Sequence, residues 1–291
     1  MAKLRGWIFP PECYSLARSG TVLTQQEAAV LLENKVVVIS GCNSEIGMGW
    51  SAAIKCAEQG ADLVVCDYAT DKLGQLVEKI EALERGAIWV QADISIREQV
   101  QQVVDQAIDA FGRIDVLINN AGIATDNGPF LECSEDMLDR NIAVNFKGAW
   151  YFCQAVIPHM RKQGGGAIVN NASLNATRPV AGWAPYTTSK MAMIGMSKSI
   201  ALEFGVDNIR SNCIAPGPIR TELGLGGSRR VAEEMDIPFD EAVKLAEHAN
   251  VLGRWGDPGE AADLMVYLAS DMASFVTGST IDVGGGFVAG L

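Results

Sequence analysis

The stretch Val36-Val37-Val38-Ile39-Ser40-Gly41-Cys42-Asn43-Ser44-Glu45-Ile46-Gly47-Met48-Gly49 decides the fold. Its first four residues are β-branched and wholly apolar. A run of that kind, with no polar alternation, predicts a strand covered on both faces. Glycines then break the run, and a helix is predicted over residues 50–59. The same alternation continues outward. Further strands are predicted at 62–67, 87–92, 115–119, 167–171, 209–214 and 280–283, and helices at 71–84, 96–111, 135–161, 186–204 and 259–269. Strands alternating with helices imply a parallel sheet with helices on both faces. Residues 217–250 read as irregular or short-helical, and Thr24-Gln25-Gln26-Glu27 reads as a capping box opening a short helix. No linker, repeat or shift in composition marks a second domain. The expectation is an α/β fold: one doubly wound parallel sheet of about seven strands over residues 35–291, preceded by an extension over 1–34.

Composition narrows the function. The chain has 291 residues, 48% of them hydrophobic, which is enough for a sizeable core. Its formal charge of −12 is poorly matched to nucleic acid or an anionic membrane, so neither is expected as a partner. Seven scattered cysteines without a C-x-x-C pair read as reduced thiols in a cytoplasmic protein. With only His159 and His248 available, no metal site is expected. No apolar run reaches the length of a membrane span, and Trp7-Ile8-Phe9 stops at Pro10-Pro11, without the core of a secretory signal.

The turn after the first strand carries chemistry. Gly41, Asn43, Ser44, Ile46 and Gly47 sit where backbone N–H groups at a helix N-terminus can hold a pyrophosphate. The glycine spacing alone is also that of an ordinary strand-to-helix turn. Asp67, followed by Tyr68, ends the second strand twenty residues after Gly47. An acid there accepts hydrogen bonds from adenosine ribose hydroxyls and repels a 2′-phosphate. No Arg or Lys lies in the turn or directly after Asp67, so NAD is the expected cofactor rather than NADP.

From these residues outward the chain resembles the short-chain dehydrogenase/reductase superfamily in its one-domain form, over about residues 35–288. Asp93-Ile94 matches the family's adenine-contacting acid. Asn119-Asn120-Ala121-Gly122 matches its N-N-A-G turn, and Tyr186-Thr187-Thr188-Ser189-Lys190 its Y-x-x-x-K motif. Ser173 and Asn145 stand where the family keeps a catalytic serine and asparagine. Pro216-Gly217, with Ile219 and Thr221, resembles the loop that holds the nicotinamide carboxamide, and residues 218–250 resemble a substrate lid. The chain departs from the family's T-G-x-x-x-G-x-G turn: Ser40 replaces the threonine, and Glu45 stands where the middle glycine belongs. Glu45 is expected to turn away from the phosphates, with Gly47 providing the close approach.

The chemistry follows from ordinary acid–base properties. A tyrosine, with a pKa of about 10, is too weak a base near neutrality, and a nearby ammonium lowers it. Lys190, one helical turn after Tyr186, projects from the same face. The resemblance further implies that Ser173 holds the substrate oxygen, that Lys190 bonds the nicotinamide ribose, and that Asn145 anchors a water in a proton relay. The expected activity is NAD-dependent interconversion of a secondary alcohol and a ketone. The apolar residues of the lid point to a mostly hydrophobic small molecule. Two alternatives are an NADPH-dependent 3-oxoacyl-carrier-protein reductase and a non-catalytic nucleotide sensor. The resemblance implies a homotetramer, and the many apolar residues of the 186–204 helix agree with it.

Overall fold

The computed structural model describes residues 30–124 and 128–287. The capping box at Thr24–Glu27 lies outside them. β1 (Val36–Ser40) is buried at all five positions and pairs in parallel with β2 (Asp62–Asp67) on one side and β4 (Val116–Asn119) on the other. Parallel pairing continues through β3 (Ala87–Gln91), β5 (Gly166–Asn171), β6 (Ile209–Pro216) and β7 (Thr280–Val283). The seven strands lie in the order β3-β2-β1-β4-β5-β6-β7. The order reverses between β1 and β4, and in open α/β sheets that point opens a crevice at the carboxyl ends of the strands.

Alternate residues of β1 feed two cores. Val37 and Ile39 face α1 (Met48–Glu58), α2 (Leu73–Glu81) and α10 (Pro258–Ala269). Val38 faces α3 (Arg97–Phe111), α5 (Ala149–Gln163) and α7 (Ala184–Phe204). The second core absorbs Met193, Ile194, Met196 and Ile200 of α7, leaving Met191 and Leu202 exposed. The apolar surplus expected on that helix is therefore largely internal packing.

Two segments differ from the sequence reading. The helix expected over 135–161 is broken into α4 (Glu135–Asn141), a π-helical segment (Ile142–Gly148) and α5, which ends at Gly164 in the left-handed region. The lid is also more regular than expected. It contains α8 (Glu222–Met235) and α9 (Phe239–His248). Gly224, Gly226 and Gly227 lower the helix propensity of α8. Gly224 lets the helix lie close to its neighbour, since a Cβ there would stand 2.8 Å from the Trp255 ring, whereas one on Gly227 would make ordinary contact with the Trp183 ring at 3.7 Å. Thr221 caps α8 by accepting from Gly224 N–H at 3.1 Å.

Candidate active site

The crevice opens where β1 and β4 part. Asn120 ties the two strand ends together: its Nδ2 donates to the Ser40 and Gly41 carbonyls at 3.0 and 2.8 Å, and its Oδ1 accepts from Asn171 Nδ2 at 2.9 Å. The N–H groups of Asn120 and Ala121 both donate to Ser40 Oγ at 3.2 Å. The serine that starts the glycine turn therefore fastens it to the N-A-G turn. Helix α1 begins at Gly47 with no side-chain cap and no acid in its first turn, which leaves its first amides to an external acceptor. Ser44 Oγ and Asn171 Oδ1, both on the crevice wall, are buried without a partner.

At the adenosine end, Asp67 Oδ2 accepts from Asn43 N–H at 2.9 Å and Oδ1 from Ala69 N–H at 3.3 Å. Asn43 holds the rim: its Nδ2 donates to Asp71 Oδ1 at 2.7 Å, and its Oδ1 accepts from Lys72 N–H at 2.9 Å. Glu45 pairs with Lys72 Nζ at 3.0 Å, so the carboxylate in the glycine position is matched by a base. A cation thus stands beside the turn although none lies within it or directly after Asp67. Lys72 lies five residues beyond Asp67, and the β2–α2 loop brings it back to the turn. Asp93 caps its own loop through Ser95 N–H and Oγ at 2.9 and 2.6 Å. Ile94 is buried against Gly148, whereas Tyr68 and Ile46 are exposed.

Tyr186, Lys190, Ser173 and Asn145 converge, all buried. Ser173 sits just past β5, caps the short helix α6 (Leu174–Thr177) by accepting from Asn175 N–H at 3.1 Å, and acts on the Tyr186 hydroxyl. Lys190 Nζ lies 5.8 Å from the Tyr186 ring centre and donates to the Asn171 carbonyl at 2.7 Å. Burial pushes the Tyr186 hydroxyl above its ordinary range, against the pull of the Ser173 hydrogen bond. The net direction is opposite to that expected from the lysine alone. Burial also draws the Lys190 ammonium down to about 8, because desolvation penalises the charged form. Asn145 Oδ1 accepts from Ile123 N–H at 2.7 Å, and its Nδ2 donates to the Ile123 carbonyl and Ser189 Oγ, both at 2.9 Å. Its side chain therefore braces backbone. A Cβ on Gly122 would lie 3.1 Å from both Asn145 Oδ1 and Lys190 Nζ, so a side chain there would press on both groups.

From the glycine turn to the lid, the site is a continuous cleft of about 500 Å³. Gly41, Ser44, Gly47, Asn120, Gly122, Pro216, Gly217, Ile219 and Thr221 line it together with Ser173, Tyr186 and Lys190. Asn43, Ile46, Asp67, Tyr68, Asp93, Ile94, Ala121 and Asn145 are not on its wall. The sequence reading missed Val180, Val231, Leu245 and Trp255, which with Leu223 make the far end apolar. Trp255 donates Nε1–H to the Val243 carbonyl at 3.1 Å and so holds the loop at α9. Trp183 lines the cleft and meets the Tyr186 ring edge-on at 5.7 Å. The lid arginines do not line it. Arg230 stacks over Trp183 at 5.4 Å and pairs with Glu234, while Arg229 stacks over Phe239. Among the described residues no cluster of side chains suits a metal, no helix is long and apolar enough to cross a membrane, and all six cysteines are free.

A family model described as enoyl-(acyl carrier protein) reductase matches residues 41–288. The 3-oxoacyl-(acyl-carrier-protein) reductase of Thermotoga maritima is 36% identical over 257 residues, covering 88% of this chain and 99% of that protein. The L-sorbose reductase of Gluconobacter frateurii, solved with NADPH and L-sorbose, superposes with a TM-score of 0.83 at 30% identity, covering 89% of this chain and 98% of that one. Carveol dehydrogenase of Mycobacterium avium, solved with NAD, superposes with a TM-score of 0.82 at 25% identity, covering 88% and 98%.

Proposed function

Because the chain belongs to the short-chain dehydrogenase/reductase family, we propose that it is an NAD-dependent oxidoreductase interconverting a secondary alcohol and a ketone, with Tyr186 as the proton-transfer group. The observation that carries this reading is the meeting of buried Tyr186, Ser173 and Lys190 on one cleft with the glycine turn. The residues present fit a dinucleotide. The uncapped amides at the start of α1 and the unpartnered Ser44 Oγ suit a pyrophosphate, and Asp67 at the end of β2 suits an unphosphorylated ribose. Bound NAD supplies hydride acceptance, and NADH hydride donation. Asp93 and Ile94 would face the adenine, and the Pro216–Thr221 loop the carboxamide. In oxidation Ser173 holds the substrate oxygen and Tyr186 takes its proton. In reduction Tyr186 returns it.

The cleft wall supports a neutral, largely hydrophobic substrate. Among its described residues, Lys190 and Glu222 alone carry charge. The similarity to an acyl-carrier-protein reductase favours a second reading, NADPH-dependent reduction of 3-oxoacyl thioesters. The carboxylates around Asp67 speak against it. The protein is further proposed to act as a cytoplasmic homotetramer, supported by exposed Trp150 of α5 and Met191 and Leu202 of α7. The test is turnover of secondary alcohols with NAD, and of ketones and 3-oxoacyl thioesters with NADH and NADPH. Tyr186→Phe should keep NADH binding and lose roughly 10²–10⁴-fold in kcat. Activity of the variant within a few-fold of wild type would remove Tyr186 from the chemistry.

A further inference from the structure

Glu45 stands where a glycine would let a phosphate approach, yet its carboxylate is held 3.0 Å from Lys72 Nζ. Both side chains are partly exposed, so the pair is not a buried structural bridge. It adjoins the Asp67 carboxylate through one residue: Asn43 gives its N–H to Asp67, its Nδ2 to Asp71, and accepts Lys72 N–H on its Oδ1. Glu222, the first residue of α8, also acts on the Lys72 charge. Among the described residues, Lys72 is thus an ammonium under the charges of Glu45, Asp71 and Glu222, its backbone linked to Asp67 through Asn43. A lone cation so placed would be the natural counter-ion for a phosphate on the adenosine ribose. Glu45 occupies it.

We infer that Glu45 is a specificity-determining residue which, by pairing with Lys72, denies that ammonium to the 2′-phosphate of NADP(H) and so reinforces selection for NAD(H). The inference rests on the proposed reading of Asp67 as the ribose acceptor. Asp67 repels the added phosphate directly, and Glu45 withholds the neighbouring Lys72 ammonium that could offset that repulsion. Removing the Glu45 charge alone should therefore convert Lys72 from a paired to an available ammonium. Removing both charges should bring no gain, because the benefit comes through Lys72.

The experiment is equilibrium titration of the full chain with NADH, NADPH, AMP and 2′,5′-ADP, followed by fluorescence or by displacement of bound NADH. Glu45→Gln keeps the size of the side chain. It should tighten NADPH and 2′,5′-ADP about fivefold or more while NADH and AMP stay within about twofold. Glu45→Gln combined with Lys72→Met should lose that gain, and the gain should shrink as salt rises. If Glu45→Gln leaves NADPH and 2′,5′-ADP unchanged while NADH binds as in wild type, the inference is wrong and the cofactor site stands. The same holds if the double variant keeps the gain. If wild type binds neither NADH nor AMP, the proposed function itself fails.

Discussion

Replacing Lys190 by methionine should make the protein inactive and more stable. Lys190 is 3% exposed, and burial lowers its pKa from 10.5 to about 8. That fall of about 2.5 units corresponds to roughly 3 kcal/mol of destabilisation at pH 7, at about 1.4 kcal/mol per unit. Methionine fills a similar volume without a charge. The substitution also removes the 2.7 Å hydrogen bond to the Asn171 carbonyl, at a cost of about 1 kcal/mol. The net expectation is a gain of roughly 2 kcal/mol. The pH dependence identifies the cause. Since the folded pKa lies below the unfolded one, the unfolded chain holds more protons between about pH 8 and 10.5. Wild-type stability should therefore rise across that window, and the advantage of Lys190→Met should be full below about pH 8 and fade toward pH 10.5. Urea unfolding followed by tryptophan fluorescence, without cofactor, at pH 7 and near pH 10, measures both effects. A variant less stable than wild type at pH 7, or a gap equal at both pH values, would refute the reasoning.

Gly122→Ala should lower kcat on the order of tenfold or more with little change in the unfolding midpoint, because its Cβ would press on Asn145 Oδ1 and Lys190 Nζ, both 3.1 Å away; wild-type kinetics would show that the space is not needed. Burial holds the Tyr186 hydroxyl above its ordinary range, so alcohol oxidation should climb with pH from neutrality upward while ketone reduction stays flat and falls only beyond the ordinary tyrosine range; parallel profiles for the two directions would contradict Tyr186 as the titrating group. Light scattering at micromolar concentration should give the mass of a tetramer, and a monomer would dismiss the assembly.

The sheet was legible because parallel strands buried on both faces leave uninterrupted β-branched runs. Strands β2 and β7 begin and end where the hydropathy does, and the others differ by at most two residues at one end. The residues of the Y-x-x-x-K and N-A-G motifs were equally legible, since their spacing within one element survives folding. What was hidden depends on close approach between distant segments. Nothing local announces that Lys72 returns to Glu45, or that Trp255 and Val231 share a wall with Tyr186. The lid helix α8 was obscured by its own glycines, which lower propensity, while Gly224 admits the ring of Trp255. The methionines and isoleucines of α7 looked like an interface because sequence periodicity cannot tell a helix covered by its own chain from one covered by a neighbour.

The π-helical segment has the same origin and bears on how the site is held. A regular helix over 135–161 satisfies the apolar pattern, so sequence offers no reason to break it. The segment Ile142–Gly148 inserts a local widening in the turn that carries Asn145, the kind of distortion that occurs often at functional sites. The Asn145 carboxamide is engaged on both sides of the site. It grips Ile123 N–H and C=O beyond the N-A-G turn, and it donates to Ser189 Oγ. Ser189 Oγ in turn donates to the Tyr186 carbonyl at 2.7 Å. One buried side chain thereby links the loop after β4 to the turn of α7 that bears both Tyr186 and Lys190. With these bonds made, Asn145 Nδ2 has no donor left for a water. Its side chain ties the loop after β4 to the turn of α7 that bears Tyr186 and Lys190, and it does so from within the widened helical turn.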